Sequence, residues 1–475
     1  MNSASRRDFL RAMASLAVSR PPNIVYILAD DLGWGDLNCY NPQSAVPTPN
    51  ANRLASQGMR FTDMHSPSAV CTPTRYGILT GRYCWRSRLK KGVLWGYSPN
   101  LIEDHRLTVP GMLKQQGYYT AGIGKWHLGL GRDEKADYSQ PLHPNPTDHG
   151  FDYYFGIPAS LDMDPYLYFE NDHAVEQPAS STAGQNQPRG VFWRPGPIAP
   201  HFEIPEVLPT LTDKAIAMLR DRTEKPLQPF FLYFAMTAPH TPWVPKKPYE
   251  GKSQAGLYGD FVAEVDDMLG RVLRTLEETG LASNTLVIFT SDNGADWKLE
   301  DKAKYKHRAN AGWRGEKADI WDAGHRIPFL ARWPGRIKPN TVSNQLGCLT
   351  DLLATTAAIT GLKLPANSGE DSFNLLPALQ GTASKPIREA IVHHSSEGMF
   401  SIRQGEWKLE LGLGSGGFTP PVKIEPEPGG PQGQLYNLKT DPTESANLWL
   451  KYPDVVQRLT ALLHRYQEQG YTRPI

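Results

Sequence analysis

Cysteine is scarce in this 475-residue chain, which has four: Cys39, Cys71, Cys84 and Cys348, with no C-x-x-C pair among them. That spacing excludes a thiolate zinc site and a disulfide scaffold, since both need clustered or repeated cysteines. A single disulfide among Cys39, Cys84 and Cys348 stays open. Excess charge of either sign is also missing: 50 basic side chains meet 49 acidic ones. No global field therefore draws the chain to nucleic acid or to a membrane surface. No apolar run approaches the ~20 residues that a membrane span needs, and no internal repeat is found. Any anion must be held locally.

The texture of the sequence divides it into a large α/β domain at 22–385 and a small C-terminal α+β subdomain at 386–475. Residues 1–21 stand apart. S-R-R-D-F-L-R from Ser5 to Arg11, followed by A-M-A-S-L-A-V, resembles a twin-arginine export signal and implies a periplasmic or secreted protein. A basic disordered tail is the other reading.

The run N-I-V-Y-I-L-A from Asn23 to Ala29 is apolar and β-branched, as in a central parallel strand buried on both faces, and ends in Asp30-Asp31. Three more predicted strands behave alike. Tyr118 to Gly124 runs into Lys125-Trp126-His127, Pro229 to Met236 leads to Pro239-His240, and Leu286 to Thr290 ends in Asp292-Asn293. The carboxyl ends of strands in an open parallel sheet line one crevice, so these distant residues are expected to converge there. Asp30, Asp31, Asp292 and Asn293 offer only hard oxygen ligands, which suits Ca2+ or Mg2+ rather than zinc; calcium is the expected ion.

Elsewhere the spacing predicts helices at about 50–57, 108–116, 257–276, 349–360 and 455–467, with further strands around 59–64 and from Ile327. Residues 132–200 are rich in Pro, Asp, Asn, Gln and Ser, with aromatic islands such as D-Y-Y-F. They read as long loops over the active face.

The most informative stretch is C-T-P-T-R-Y-G-I-L-T-G-R, Cys71 to Arg82. Proline is tolerated in a first helical turn, which places Cys71 at a helix N-terminus, where free N–H groups and the dipole favour an anion. Arg75, one turn further, lies on the same face. A cysteine by itself is most often a buried structural residue, but the whole pattern favours activation or chemical modification.

C-T-P-T-R followed by T-G-R resembles the signature of the formylglycine-dependent (type I) sulfatases. D-D-L-G-W-G-D-L, G-K-W-H-L-G, A-P-H-T-P-W and S-D-N-G are similar to further motifs of that family. The resemblance covers about residues 22 to 450 and is tight only around the site. It implies a large mixed, mostly parallel sheet sandwiched by helices, as in alkaline phosphatase. It also implies that a formylglycine-generating maturation enzyme oxidises Cys71 to an aldehyde whose hydrate is the nucleophile. By the same resemblance, Asp30, Asp31, Asp292, Asn293 and modified Cys71 hold Ca2+, Lys125 and Lys317 contact sulfate, and His127 meets the hydrate. Arg75 orients that hydrate, and His240 protonates the leaving sugar oxygen in a double displacement. Ser160, in F-G-I-P-A-S-L-D-M-D, is likened to a serine near the nucleophile. W-D-A-G at Trp321 to Gly324 departs from the W-E-G-G frequent in the family.

The chain looks most like the galactosamine-6-sulfatase and arylsulfatase A group. That likeness implies an exo-acting 6-O-sulfatase on glycosaminoglycan or algal polysaccharide fragments. Asp162, Asp164, His173, Trp193, His201, Trp243, His325, His393 and His394 are candidates to read the sugar. A phosphate or phosphonate monoester hydrolase of the same superfamily is the alternative enzyme. A sulfated-sugar-binding protein without catalysis is a third reading, against which the complete Cys71, Arg75, Lys125, His127, His240 and Lys317 set argues. Oligomeric state is not legible.

Overall fold

The computed structural model describes residues 20–474, so the stretch resembling an export signal, within 1–19, lies outside the described residues. The large sheet is built from β1 (Asn23–Asp30), β2 (Met59–Phe61), β3 (Tyr119–Lys125), β4 (Tyr153–Ile157), β5 (Phe169–Glu170), β6 (His173–Ala174), β7 (Phe230–Pro239), β8 (Thr285–Ser291), β9 (Phe329–Arg332) and β10 (Thr341–Ser343). Their spatial order is β10-β2-β9-β8-β1-β7-β3-β4-β5-β6. β1 pairs in parallel with β7 and β8, β7 with β3, and β3 with β4. Antiparallel pairs lie toward the edges. The four strands expected to deliver polar residues are therefore neighbours, and all point their carboxyl ends the same way.

β1 is buried from Ile24 onward, which requires cover on both faces. Helices α1 (Pro49–Gln57), α2 (Cys71–Thr80), α3 (Val109–Gln115), α4 (Val207–Asp221), α5 (Gly256–Glu278) and α6 (Leu352–Thr360) supply it. Along α5 the buried face carries Phe261, Val265, Met268, Val272 and Leu276, the helical spacing seen in the sequence. Thr108 caps α3 by accepting the Gly111 N–H at 3.1 Å.

A second, antiparallel sheet contains β11 (Ile391–His394), β12 (Phe400–Gln404), β13 (Trp407–Glu410) and β14 (Gln434–Asn437), covered by α7 (Pro453–Gln469). Leu459 and Leu463 of α7 pack with Ile391, Ile402, Leu409 and Leu435. Tyr83, Trp85 and Cys348 join the same core, so the small sheet is seated directly on the chain that leaves α2.

Two expectations need correction and one open question is settled. D-Y-Y-F is not a loop island but the start of β4, a parallel strand. Its signal was masked by glycine: a Cβ on Gly156 would lie 1.7 Å from the Gly124 carbonyl oxygen, so only glycine lets β3 and β4 approach there. The strand expected over 59–64 is broken after Phe61, where Asp63 turns to Arg326 and Arg403. All four cysteines are free thiols, which closes the question of a disulfide.

Candidate active site

The site begins at the end of β1. Asp31 has a left-handed backbone, φ 67°, a conformation that costs of order 1–3 kcal/mol outside glycine and is tolerated best by Asp and Asn. The turn lets two adjacent carboxylates, normally on opposite sides of a strand, enter one crevice. Asp36 buttresses it, accepting the Gly33 N–H at 2.7 Å and bonding His307 and Tyr258. Sequence reasoning missed this support, although Asp36 lies in the D-D-L-G-W-G-D-L run.

From β8, Asp292 Oδ1 accepts the Asp31 N–H at 3.2 Å, and Asn293 Nδ2 donates to Asp31 Oδ1 at 2.7 Å. β3 ends at Lys125, whose Nζ is 2.6 Å from Asp30 Oδ2. The Gly124 just before it has φ 121°, and a Cβ there would lie 1.8 Å from the Ala235 carbonyl oxygen of β7. Lys317 arrives from the loop after β8 and places Nζ 2.7 Å from Asp31 Oδ2.

Cys71 is the first residue of α2, behind an N-cap, Val70, that has no side-chain cap bond. The Ala69 carbonyl accepts the Ala318 N–H at 2.8 Å, which ties the helix start to the Lys317 loop. Gly81 closes α2 in a left-handed C-cap. The Arg75 guanidinium donates to Asp292 Oδ2 at 2.7 and 3.1 Å and to the Lys125 carbonyl at 3.1 Å, and stands 3.4 Å from Asp30 Oδ1. One arginine thus links three strand ends.

The electrostatics follow from burial. It pushes the Asp31 and Asp292 carboxyls above the usual range, against the pull of Lys317 on the first and Arg75 on the second. Burial works against the charges of Lys317 and Arg75 as well, but the carboxylates beside them outweigh it and hold both cationic. Burial raises the Cys71 thiol, while Lys125 and Lys317 pull it back. An unmodified Cys71 is thus a thiol rather than a thiolate nucleophile.

Two histidines complete the crevice. His127, with φ 58°, sets Nε2 2.8 Å from the Leu94 carbonyl and leaves Nδ1 buried without a partner. Burial, then Lys125 and Arg75, hold its pKa well below the usual value, so the ring is neutral with its proton on Nε2. The Leu94 carbonyl is a partner of His127 that no side-chain pattern could have announced. His240 places Nδ1 2.6 Å from the Thr241 carbonyl and Nε2 3.8 Å from Asp31 Oδ2. Burial, Lys317 and Lys125 push it down to about 3.

A divalent cation fits this donor set. Asp30 Oδ1 and Asn293 Oδ1 are buried with no hydrogen-bond partner, a costly state for oxygen acceptors. With Asp31 and Asp292 they make an all-oxygen set suited to a hard ion.

The sugar-reading candidates divide. Ser160 Oγ and Asp162 Oδ1 are buried and unpartnered, and the Asp162 charge acts on His240. Asp164 is half-buried, with its carbonyl against Gly96 and its side chain against Gly196. His325, His393 and His394 are interior residues whose neighbours are protein groups. His325 and His393 stack at 3.7 Å, and His65 Nδ1 lies 2.9 Å from His325 Nδ1 in a chain running from Asp63 to Lys408. His394 serves through its carbonyl, which accepts the Ala69 N–H. Trp243 packs on Tyr258 and Trp297. Trp193 donates to Thr182, and the exposed His173 and His201 pair with Asp172 and Glu176.

Known proteins resemble this chain along most of its length. A family model described as Sulfatase matches residues 22–362. An N-acetylgalactosamine-6-O-sulfatase of Bacteroides thetaiotaomicron is 35% identical over 94% of this chain and 93% of its own. Arylsulfatase A of Homo sapiens is 34% identical, covering 94% and 87%. A solved Bacteroides thetaiotaomicron structure, from work on the metabolism of multiple glycosaminoglycans, superposes with a TM-score of 0.83 at 33% identity, over 95% of this chain and all of that one.

Proposed function

The chain belongs to the sulfatase family, a sulfuric ester hydrolase acting on sugar sulfates, and from that premise we propose that it is an exo-acting 6-O-sulfatase using formylglycine at position 71 and Ca2+. The observation that carries the mechanism is the meeting of Cys71, at a free helix N-terminus, with Lys125, Lys317, Arg75 and three buried carboxylates. A sulfate monoester needs cations around its oxygens, a nucleophile in line with sulfur and a proton for the leaving oxygen. Bound by Asp30, Asp31, Asp292, Asn293 and residue 71, Ca2+ would supply Lewis-acid polarisation of the sulfuryl group.

The chain's own groups take the remaining roles. Lys125 and Lys317 grip the sulfate oxygens, and Arg75 holds the α2 terminus and Asp292 in register. His127, its Nε2 proton committed to Leu94, accepts through Nδ1 from a hydroxyl of the hydrated aldehyde. His240, anchored through Nδ1, is neutral with Nε2 bare before substrate binds. It takes up a proton at Nε2 as the anionic sulfate ester offsets Lys125 and Lys317, and passes it to the departing sugar oxygen. Ser160 and Asp162 offer unpartnered oxygens to sugar hydroxyls. The balance is a sulfate ester plus water giving the sugar alcohol and hydrogen sulfate.

The 6-O position is supported by the relative named N-acetylgalactosamine-6-O-sulfatase, with glycosaminoglycan or algal fragments as the source. Conversion of Cys71 requires a formylglycine-generating enzyme. Export through the twin-arginine-like stretch to the periplasm or beyond belongs to the same reading, as does a domain boundary near residue 386. Sulfate release from hexosamines sulfated singly at O2, O3, O4 or O6 tests it: release from the 6-sulfate alone is expected, and preference for another position overturns the assignment.

A further inference from the structure

We propose that Trp95 and Arg194 form a subsite for the sugar ring next to the sulfated one, and that this neighbouring ring carries an anionic group. The inference rests on the reading of the crevice as a sugar sulfatase site and extends it outward.

Trp95 follows Leu94, whose N–H donates to Thr72 Oγ1 at 3.1 Å and whose carbonyl accepts from His127 Nε2 at 2.8 Å. Its backbone is thus fixed one residue from the reacting centre. Yet its side chain is 50% exposed, the one tryptophan among the large exposed apolar side chains of the described residues. A tryptophan held by a catalytic residue's partner and left facing solvent is a stacking platform of the size of a pyranose ring.

Arg194 lies across it. The guanidinium carbon is 4.8 Å from the Trp95 ring centroid and 4.9 Å from that of Phe192. Nη1 pairs with Asp162 Oδ2 and donates to the Asp162 carbonyl at 3.2 Å. Those are its side-chain hydrogen bonds among the described residues, so Nε and Nη2 remain to be used, and the side chain is 34% exposed. Asp162 Oδ1 is buried without a partner. The segment that carries Arg194 is tied to the proton-exchanging histidine, because Thr241 Oγ1 donates to the Gly190 carbonyl at 2.6 Å.

Asp162 and Arg194 therefore form one continuous wall, with the guanidinium resting against the Trp95 ring so that its unused N–H groups border the part of the ring left to solvent. Asp162 Oδ1 meets a hydroxyl of the sulfated ring. The Arg194 fork, already pre-set by two aromatic rings, presents its unused N–H groups where the next ring lies on Trp95. A planar guanidinium with spare donors recognises a carboxylate or a sulfate, by paired charge-assisted bonds, far better than a neutral hydroxyl. A hexuronate or a neighbouring sulfated sugar shares that chemistry.

The test uses enzyme carrying formylglycine and three disaccharides with the same 6-sulfated hexosamine: one linked to a hexuronate, one to its methyl ester, and one to a neutral sugar bearing its own sulfate. The wild type should prefer an anionic neighbour over the ester by about 10- to 100-fold in kcat/KM, the range of a charge-assisted pair. The preferred arm identifies the anion. Arg194→Gln should abolish that preference, and Trp95→Ala should raise KM for all three while kcat changes little. A wild type that treats all three disaccharides alike, or an Arg194→Gln variant that keeps the wild-type preference, overturns the proposal. Calorimetry with sulfate-free uronyl disaccharide and its ester keeps the test independent of turnover: tighter binding of the acid by wild type, lost in Arg194→Gln, supports the subsite even where no sulfate is released.

Discussion

Lys317 Nζ lies 2.7 Å from Asp31 Oδ2, across 286 residues of chain. Lys125 holds the adjacent Asp30 in the same way, so each of two neighbouring carboxylates has its own ammonium. These two lysines are the groups proposed to receive sulfate.

Replacing either by alanine should lower kcat/KM by about 10^2- to 10^3-fold, the scale of one lost electrostatic contact to the developing charge. Steady-state kinetics on a sugar 6-sulfate checks this. An effect confined to KM, with kcat intact, would mean that the lysine binds substrate and transition state alike.

His240 has its Nδ1 committed to the Thr241 carbonyl, leaving Nε2 for the leaving oxygen. His240→Ala should cost about 10^2- to 10^4-fold in kcat on a sugar sulfate, as loss of general acid catalysis does. It should cost much less on an aryl sulfate, whose phenolate departs without a proton. Equal losses on both substrates would remove His240 from that role.

Asp30, Asp31, Asp292 and Asn293 predict a calcium-linked stability. At a concentration of 100 times its dissociation constant, Ca2+ should stabilise the fold by about 2.7 kcal/mol. Thermal unfolding with chelator and with added Ca2+ measures it. Asp292→Asn should shrink the shift, and an identical melting curve in both conditions would argue against the ion.

Much of this was legible in the sequence because strands and their ends obey strong local rules. The apolar run from Asn23 reads as a buried strand, and the polar pairs that end the central strands converge as an open sheet requires. What could not be read lies in contacts without side-chain signature. Leu94 bonds His127 through its carbonyl, β4 is hidden by the tight Gly124–Gly156 approach, and His325 and His393 read as sugar-facing candidates although their rings are stacked in the interior.

Stability should also depend on Glu264. One of its oxygens accepts the Lys246 N–H while the other is buried without a partner, and burial raises its pKa to about 7. A carboxyl whose folded pKa is raised binds protons more tightly in the folded state. Its stabilising contribution is complete below about pH 4.3, the ordinary glutamate value, and is lost as pH rises through 7. Urea unfolding of wild type and Glu264→Gln at pH 5 and 7.5 should show wild type losing roughly 2–3 kcal/mol relative to the variant. Parallel pH curves would contradict the assignment.

Lys408 on β13 is fully buried and pairs with Glu444 at 2.6 Å, Asp322 at 3.1 Å and Glu410 at 3.3 Å. It joins the small sheet to the segment after Lys317. Lys408→Met should destabilise the protein by about 3–5 kcal/mol, because it strands buried carboxylates. Denaturant titration reads the change, and a neutral effect would show that those acids are held protonated.

The most direct test of the central claim uses preparations made with different amounts of maturation enzyme. Mass spectrometry of the peptide containing residue 71 gives the aldehyde fraction of each, and initial rates of sulfate release from a 6-sulfated hexosamine give its activity. The account predicts a straight line through the origin, with the all-thiol preparation and Cys71→Ala both inert. Turnover by protein that carries only the thiol would contradict it.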